Sequence, residues 1–553
     1  MPAARGESSE RGADTVSPLS QLRGWDAPWG GLRVLVTGFG VTGFSAADTL
    51  AELGAQVVVV DGQETDQKND DAAALTTMWG ELFEVRFGQA ATSTVEHFSV
   101  GSGGRETPVA SRPAAAAPAI TPEAASRSVQ PPDLIVTSPG WRPDSPIMRQ
   151  AAAAGIEVWS DIQLARRLGP RPGADGTAPR EPDWLVLTGT NGKTTTVKLL
   201  EAMLIADGRR AVACGNIGMP ILDAIRDPQG YDALAVELSS FQLHYTEPLN
   251  PRAAAVLNIA EDHVDWHGGE AQYRAAKARI FEQTEVACVY NVEDPVTEQM
   301  VAEAEVVEGA RAIGFTTDSP GVSMLGVVRS DDGNDILVDR AFLENRQHQA
   351  QELATRTDFG ELAPKHLVAN ALAAAALVRA VGAAPDAVRE GIRRHQPAAH
   401  RIQPVAKAED VLWINDTKAT NPHAAAASLS SFTDVVWIAG GLSKGVDYDP
   451  LVQQIAARLR HVILLGADTV QLRSSLERHA PQVPVTSAGG GDDGVAAMRG
   501  AVEAADHHAQ PGQTVVLAPA AASMDQFGSY IERGEAFIET VAALMRRKGF
   551  STP

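Results

Sequence analysis

Trp184-Leu185-Val186-Leu187-Thr188-Gly189-Thr190-Asn191-Gly192-Lys193-Thr194-Thr195 is an apolar run that passes into a glycine-flanked turn carrying one lysine and a pair of threonines. The run is short and apolar enough for a buried parallel strand, and residues 196–206 carry a helical pattern. A loop between such a strand and helix aims successive backbone N–H groups at one point. Phosphate oxygens can be cradled there, with Lys193 set against β- and γ-phosphate charge and Thr194 offering a hydroxyl to Mg²⁺. Leu187 stands where the longer phosphate-loop pattern has its first glycine, so this is the shorter G-T-N-G-K-T-T form. Gly189, Thr190, Asn191, Gly192, Lys193, Thr194 and Thr195 are therefore the expected ATP site. Lysine and Mg²⁺ at a γ-phosphate imply phosphoryl transfer, and the loop alone does not choose among ATPase, kinase and ligase.

Two further apolar runs end in glycines: residues 32–37 before Gly38, and residues 435–439 before Gly440-Gly441. Repeated strand–turn units in an α/β pattern predict three domains, each with a mostly parallel sheet. The first is expected to be Rossmann-like, the central one P-loop ATPase-like and the last Rossmann-like. With 553 residues and about 150 per domain, three or four domains are expected. We place the domains at 30–181, 182–397 and 398–553. Residues 1–29 read as a disordered tail, 99–132 as a low-complexity surface insertion, and 169–182 as a linker.

The charge balance of 47 basic against 69 acidic residues, net −22, argues against a nucleic-acid or membrane-surface binder. Only two cysteines occur, without a close pair, so neither a disulfide framework nor a zinc site is expected. No signal core and no apolar run of about 18 residues is present, so no membrane insertion is expected and the cytoplasm is the expected location.

Gly38-Phe39-Gly40-Val41-Thr42-Gly43 follows the first strand, and Asp61 ends the next one. That matches a dinucleotide fingerprint, in which bare glycines admit a pyrophosphate and the acid meets a ribose or base. No hydride-transfer site follows, so we read the loop as holding the diphosphate of a nucleotide-linked substrate. Glu237 ends an apolar strand in the P-loop domain, where a carboxylate is well placed for Mg²⁺. His263 lies among carboxylates in Asn258-Ile259-Ala260-Glu261-Asp262-His263, where a neutral imidazole could ligate a second cation. Lys277 alone reads as a solvated lysine.

Taken together, GTNGKTT, GNIG (215–218), ELSSFQL (237–243), NIAEDH (258–263), YRAAK (273–277), PAAHR (397–401), NDTKATN (415–421) and ASMDQF (522–527) resemble the Mur ligases. The likeness runs from about residue 30 to the C-terminus and is nearest to the members that add D-glutamate. It implies an enzyme joining UDP-N-acetylmuramoyl-L-alanine (UDP-MurNAc-L-Ala) to D-glutamate with ATP and two Mg²⁺ ions, and a monomer is expected. By that resemblance Gly40, Val41, Thr42, Asp61, Ser138 and Gly140 would hold the UDP part, and Asn216 and Ser239 the muramoyl part. Thr194 and Glu237 would hold one Mg²⁺, and His263 with Lys277, as a carbamate, the other. Lys193, His263 and Lys277 would be catalytic. Asn370, Arg401, Asp416 and Lys418 would meet ATP, and Thr420, Lys444, Ser523 and Tyr530 D-glutamate.

The sequence departs from the family at Leu367, where asparagine is frequent, and at Tyr530, where phenylalanine occurs. A sister ligase with another amino acid, a dinucleotide-binding oxidoreductase and a non-catalytic nucleotide-binding protein remain as alternatives.

Overall fold

The structure is a computed structural model that describes residues 18–99, 129–173, 180–360, 363–395, 400–443, 445–488, 491 and 493–550. Apolar, β-branched runs become strands, and three large sheets form beside one two-stranded ladder. The first holds five parallel strands in the order Phe83–Phe87, Gln56–Asp61, Arg33–Thr37, Leu134–Thr137, Glu157–Ser160. The strand order reverses around Arg33–Thr37, so its glycine turn opens at a switch point, where ligands enter such sheets.

The second sheet holds nine strands, and Asp183–Thr188 lies between Ala253–Val256 and Ala233–Glu237 in parallel register. That register brings the phosphate loop, Glu237 and the loop from Asn258 to one sheet edge. The far strands, Met324–Arg329, Asp335–Asp339 and Gln351–Thr355, pair antiparallel. The third sheet has six strands, parallel except for the hairpin Gln403–Ala408 with Val411–Asn415. The sheets are thus mostly parallel, with antiparallel additions at an edge of the second and third.

Helix Lys193–Ala206 starts three residues before the pattern at 196 suggests. Gly192, at φ +83°, turns the chain through a left-handed conformation that lets the helix begin at the lysine.

Two expectations about the loose segments need correction. The apolar residues of 19–29 are packed: Leu19, Leu22 and Trp29 are buried in the first core, and Arg167 donates to Leu19 O at 3.0 Å. Apolar residues at 19, 22, 25 and 29 recur with helical spacing, and the polar average of the whole tail conceals them. The proposed insertion begins and ends in a short ladder, Phe98–Ser99 against Val129–Gln130. Its residues 100–128, like 1–17 and part of the linker (174–179), lie outside the described residues.

The first two domains share one apolar cluster, in which Trp159, Ile162 and Leu168 pack with Trp184, Ile221 and Leu243. Arg226 bridges to Asp48 at 2.6 Å and Glu52 at 2.9 Å, and Arg167 to Glu247 at 2.9 Å. The third domain keeps two clusters of its own, all drawn from residues 402–545. Among the described residues both cysteines are buried and unpaired, and no helix is long and apolar enough to cross a membrane.

Asp161 sits at the seam of the first two domains, with both carboxylate oxygens accepting from Gln242 Nε2 at 3.1 and 3.2 Å. Burial pushes its pKa up from 3.8 to about 6 against that hydrogen bond. A raised folded-state value means its contribution is full below the unfolded value and is lost as pH rises through about 6. Asp161→Asn keeps an acceptor for Gln242 and should flatten that component. The difference in thermal midpoint between variant and wild type should grow in the variant's favour between about pH 4 and pH 6, then level off. A pH-independent difference would refute it.

Candidate active site

A cavity of about 740 Å³ opens where the second and third domains meet. Thr190 to Thr195, Asn216, Glu237, Asp262, Leu367 and Asn370 line it from one side. Arg401, Asp416, Lys418, Thr420 and Tyr530 line it from the other.

The loop's shape follows from close packing. Gly189 lies against Leu257 and Asn258, and an added Cβ would come within 3.0 Å of Leu257 Cβ. Thr190 faces inward: its hydroxyl lies 2.8 Å from Tyr273 OH and accepts from Ala260 N–H at 2.9 Å. Asn191 N–H donates to Asn258 Oδ1 at 2.8 Å, while Asn258 Nδ2 returns a bond to Asn191 O at 3.0 Å. The loop is therefore held from below, which leaves its N-terminal helix end open to an anion.

Lys193 Nζ donates to Gly189 O at 2.8 Å and Thr190 O at 2.9 Å. Burial lowers its pKa, opposed by Glu237 and Asp262 and assisted by Arg401. Lys277 also reaches Gly189 O, at 3.0 Å, and Thr188 Oγ1 at 3.2 Å. Burial first, then the neighbouring Lys193, drives its pKa well below the ordinary lysine value.

Glu237 is buried; Oε1 accepts from Asn216 Nδ2 at 3.2 Å, and Oε2 has no partner. An unpartnered buried carboxylate oxygen lining the same cavity as Thr194 suits a hard cation, so these residues fit a Mg²⁺ ion. The second expected set does not converge in the same way. His263 packs on Phe241 at 4.8 Å between ring centroids and does not line the cavity, whereas Asp262 does. Lys277 lies beneath the loop rather than on the cavity wall. No group of three or more His, Cys, Asp or Glu side chains suited to a metal occurs among the described residues.

On the third domain, burial pushes Asp416 up to about 6, with Arg401 pulling the other way. Burial lowers Arg401, and Lys418 falls to about 8 while lying 5.3 Å over the Tyr530 ring. Asn370 Oδ1 is the atom that an added Cβ at Gly192 would meet, at 2.5 Å. Leu367 lines the same wall. Ser523 is buried beside the strand-end bridge Leu442–Ala522 and does not line the cavity. Lys444 lies outside the described residues.

The nucleotide loop of the first domain divides its glycines by role. Gly43 leaves no room, since an added Cβ would sit 1.9 Å from Gly38 O, while Gly40 and Gly140 face open space. Val41, next to Thr42 on the first helical turn, is 73% exposed, which leaves that turn accessible. Ser138 Oγ donates to Gly38 O at 3.4 Å.

Two expected substrate residues also bond within the protein. Asp61 accepts from Phe39 N–H at 2.7 Å, Gln63 N–H at 2.8 Å and Lys68 Nζ at 2.8 Å. Burial raises its pKa, and those bonds outweigh burial and hold it below the ordinary value. Its carboxylate thus ties down its own loop. Ser239 caps helix Ser240–His244 in a reciprocal box with Gln242, and does not line the cavity.

Sequence reasoning gave no role to Tyr273, His366, Asn421 and His423. Tyr273 holds Thr190, while His366 and His423 line the cavity. Position was the only available signal: Tyr273 and Asn421 fall within the quoted motifs, and His423 lies two residues past the end of one.

The family profile of the Mur ligase middle domain matches residues 187–378, and that of the Mur ligase glutamate ligase domain matches 400–521. A UDP-N-acetylmuramoylalanine–D-glutamate ligase of Leifsonia xyli is 49% identical over 94% of this chain and 94% of its own. The protein of that name from Streptomyces avermitilis is 48% identical over 93% of this chain and 99% of its own. Its counterpart from Thermobifida fusca is also 48% identical, with the same two shares.

Gly192→Ala tests the loop geometry. A Cβ there needs a left-handed backbone and displaces Asn370. ADP affinity by calorimetry should fall by about tenfold or more, while the thermal midpoint moves by only a few degrees. Unchanged affinity would contradict the reading.

Proposed function

The chain belongs to the Mur ligase family, and on that premise we propose that it joins D-glutamate to UDP-MurNAc-L-Ala with ATP, as a cytoplasmic step of peptidoglycan precursor synthesis. The carrying observation is the two-walled cavity, with the phosphate loop and Glu237 facing Arg401, Lys418 and Thr420 across it. The names and near-complete span of the curated relatives support the choice of amino acid.

A carboxylate is a poor electrophile, so the reaction needs an activated acyl group. The substrate carboxylate oxygen attacks the γ-phosphorus, ADP leaves and an acyl phosphate forms. The amine of D-glutamate then attacks the carbonyl carbon, and phosphate departs to leave an amide. Lys193 and Lys418 would offset the charge on the phosphoryl oxygens, and the backbone N–H groups of residues 190–195 would orient them. Mg²⁺ held by Thr194 and Glu237 would supply further charge neutralisation at the phosphates. Arg401 and Asp416, with Asn370 across the cavity, would position the nucleoside. Thr420, Tyr530, Lys444 and Ser523 would form the D-glutamate pocket, in which a dicarboxylate requires cationic and hydroxyl partners. The first domain's loop, from Gly40 to Thr42 with Gly140, would receive the UDP diphosphate. His263 is our candidate for taking the proton of the attacking ammonium.

A second Mg²⁺ would require Lys277 as a carbamate, since His263 and Lys277 do not converge on the cavity as they stand. The buried amine, held well below its ordinary pKa, favours the uncharged form that adds to CO₂. Carbamylation joins that nitrogen to the CO₂ carbon and releases a proton, converting a cation into an oxygen ligand.

Phosphate release from ATP in the presence of UDP-MurNAc-L-Ala should require D-glutamate and should not respond to L-glutamate. Absence of D-glutamate-dependent release sinks the proposal. Lys277→Ala should lose activity by about a hundredfold or more and regain part of it with short carboxylic acids. Unaltered activity in the variant would remove the carbamate.

A further inference from the structure

The two walls of the nucleotide cavity belong to domains that share no apolar cluster among the described residues. Where the third domain meets the tip of the phosphate loop, three side chains form a chain whose polarity can be worked out.

Asn421 caps helix Pro422–Leu429, and its Oδ1 accepts from Ala424 N–H at 2.8 Å. Only its Nδ2 then faces outward, and it donates to Asn191 Oδ1 at 3.3 Å. That contact orients the Asn191 amide and turns its Nδ2 toward His423 Nδ1, 3.0 Å away. An amide nitrogen has no lone pair to offer, so His423 Nδ1 must accept and its proton belongs on Nε2. The Asn191 backbone is fixed independently by the two bonds to Asn258. The side chain is therefore free for the third domain while the backbone shapes the phosphate loop.

We propose that Asn421, Asn191 and His423 form a latch that docks the third domain on the phosphate loop, with His423 as a positioning residue. It goes beyond the ligase reading, because no step of the reaction uses His423 and none of the recognised motifs contains it. Asn191 acts on nucleotide through its backbone, and on the third domain through its side chain.

The surroundings suit a neutral imidazole. His423 is the second residue of its helix, where the positive end of the helix dipole disfavours a cation. Burial lowers its pKa, and the facing Asp294 carboxylate opposes that shift. Asp294 accepts from Ile259 N–H at 2.7 Å and Val296 N–H at 3.1 Å, so its charge is already engaged. The docked state thus prefers the neutral ring. The latch is present above the ordinary imidazole value and is lost as pH falls through the lowered one.

Apparent nucleotide affinity scales with the fraction of molecules in the competent arrangement. Each lost hydrogen bond should therefore raise the KM for ATP about fivefold, with kcat at saturating ATP held within about twofold.

The test combines small-angle scattering with ATP kinetics on the full chain, above and below about pH 6.5. Wild type should be compact at pH 6.5 and above, and should expand as pH falls below it through the lowered imidazole value. His423→Gln keeps an acceptor and should stay compact without pH dependence. His423→Phe, and Asn421→Asp (which keeps the cap but removes the donor), should be expanded throughout with a raised KM. Thermal midpoints near wild type show that those variants are folded, and His423→Gln is the rescue if Phe is not tolerated. Wild-type scattering and KM in both breaking variants overturns the latch, as does wild-type pH dependence in His423→Gln. Scattering needs no turnover, so this result stands apart from the identity of the amino acid ligated.

Discussion

Two amines, Lys193 Nζ and Lys277 Nζ, donate to the same carbonyl oxygen of Gly189, at 2.8 and 3.0 Å. Two ammonium groups cannot both be buried at that distance without a large cost, and both have their pKa lowered. Glu237 and Asp262 oppose the shift without contacting either lysine closely enough to bond. Arg401 and Lys418 arrive from the third domain and deepen the excess of positive charge. The site is thus built to be incomplete electrostatically. Under the proposed function, polyphosphate would answer the cations, and a divalent ion the orphaned oxygen of Glu237. Each deficit is specific to one part of a metal–nucleotide complex.

The architecture was legible where a local pattern coincided with a long-range requirement. The run from Trp184 to Thr188 reads as a buried strand, and the glycines after it as a turn, because both facts are local. Glu237 was legible for the same reason, as an acid at a strand's end. Ser239 and Asp61 were harder. Each is a polar residue beside a motif, and sequence cannot say whether its oxygens face a ligand or the protein's own N–H groups. In the structure Gln242 takes Ser239, while Phe39, Gln63 and Lys68 take Asp61. Residues 18–29 were misjudged because composition averages over a segment, whereas burial depends on spacing. His423 was invisible, since its only partner in the loop lies 232 residues away.

The two glycine loops look alike in sequence and are constrained differently. In the first, Gly43 is required by contact with Gly38 O, while Gly40 faces open space. In the second, Gly192 is required twice over, by a left-handed backbone and by Asn370. The first loop is therefore shaped by its own turn and keeps an open face. The second is shaped partly by a helix remote in sequence, so its geometry depends on the whole central domain.

That dependence bears on how the domains can move. The first and second domains share a core, and sliding them would expose Trp159, Trp184 and their neighbours to water. At about 25 cal/mol per Å² of apolar surface, such exposure is prohibitive for a catalytic cycle. The third domain meets the nucleotide cavity through polar groups: amides, an imidazole and buried cations. Water can replace those contacts at a net cost of about 1 kcal/mol each. Motion is therefore expected at the one seam where the energy is small and where the nucleotide itself would complete the contact. The seam proposed to carry the chemistry is the seam that can open.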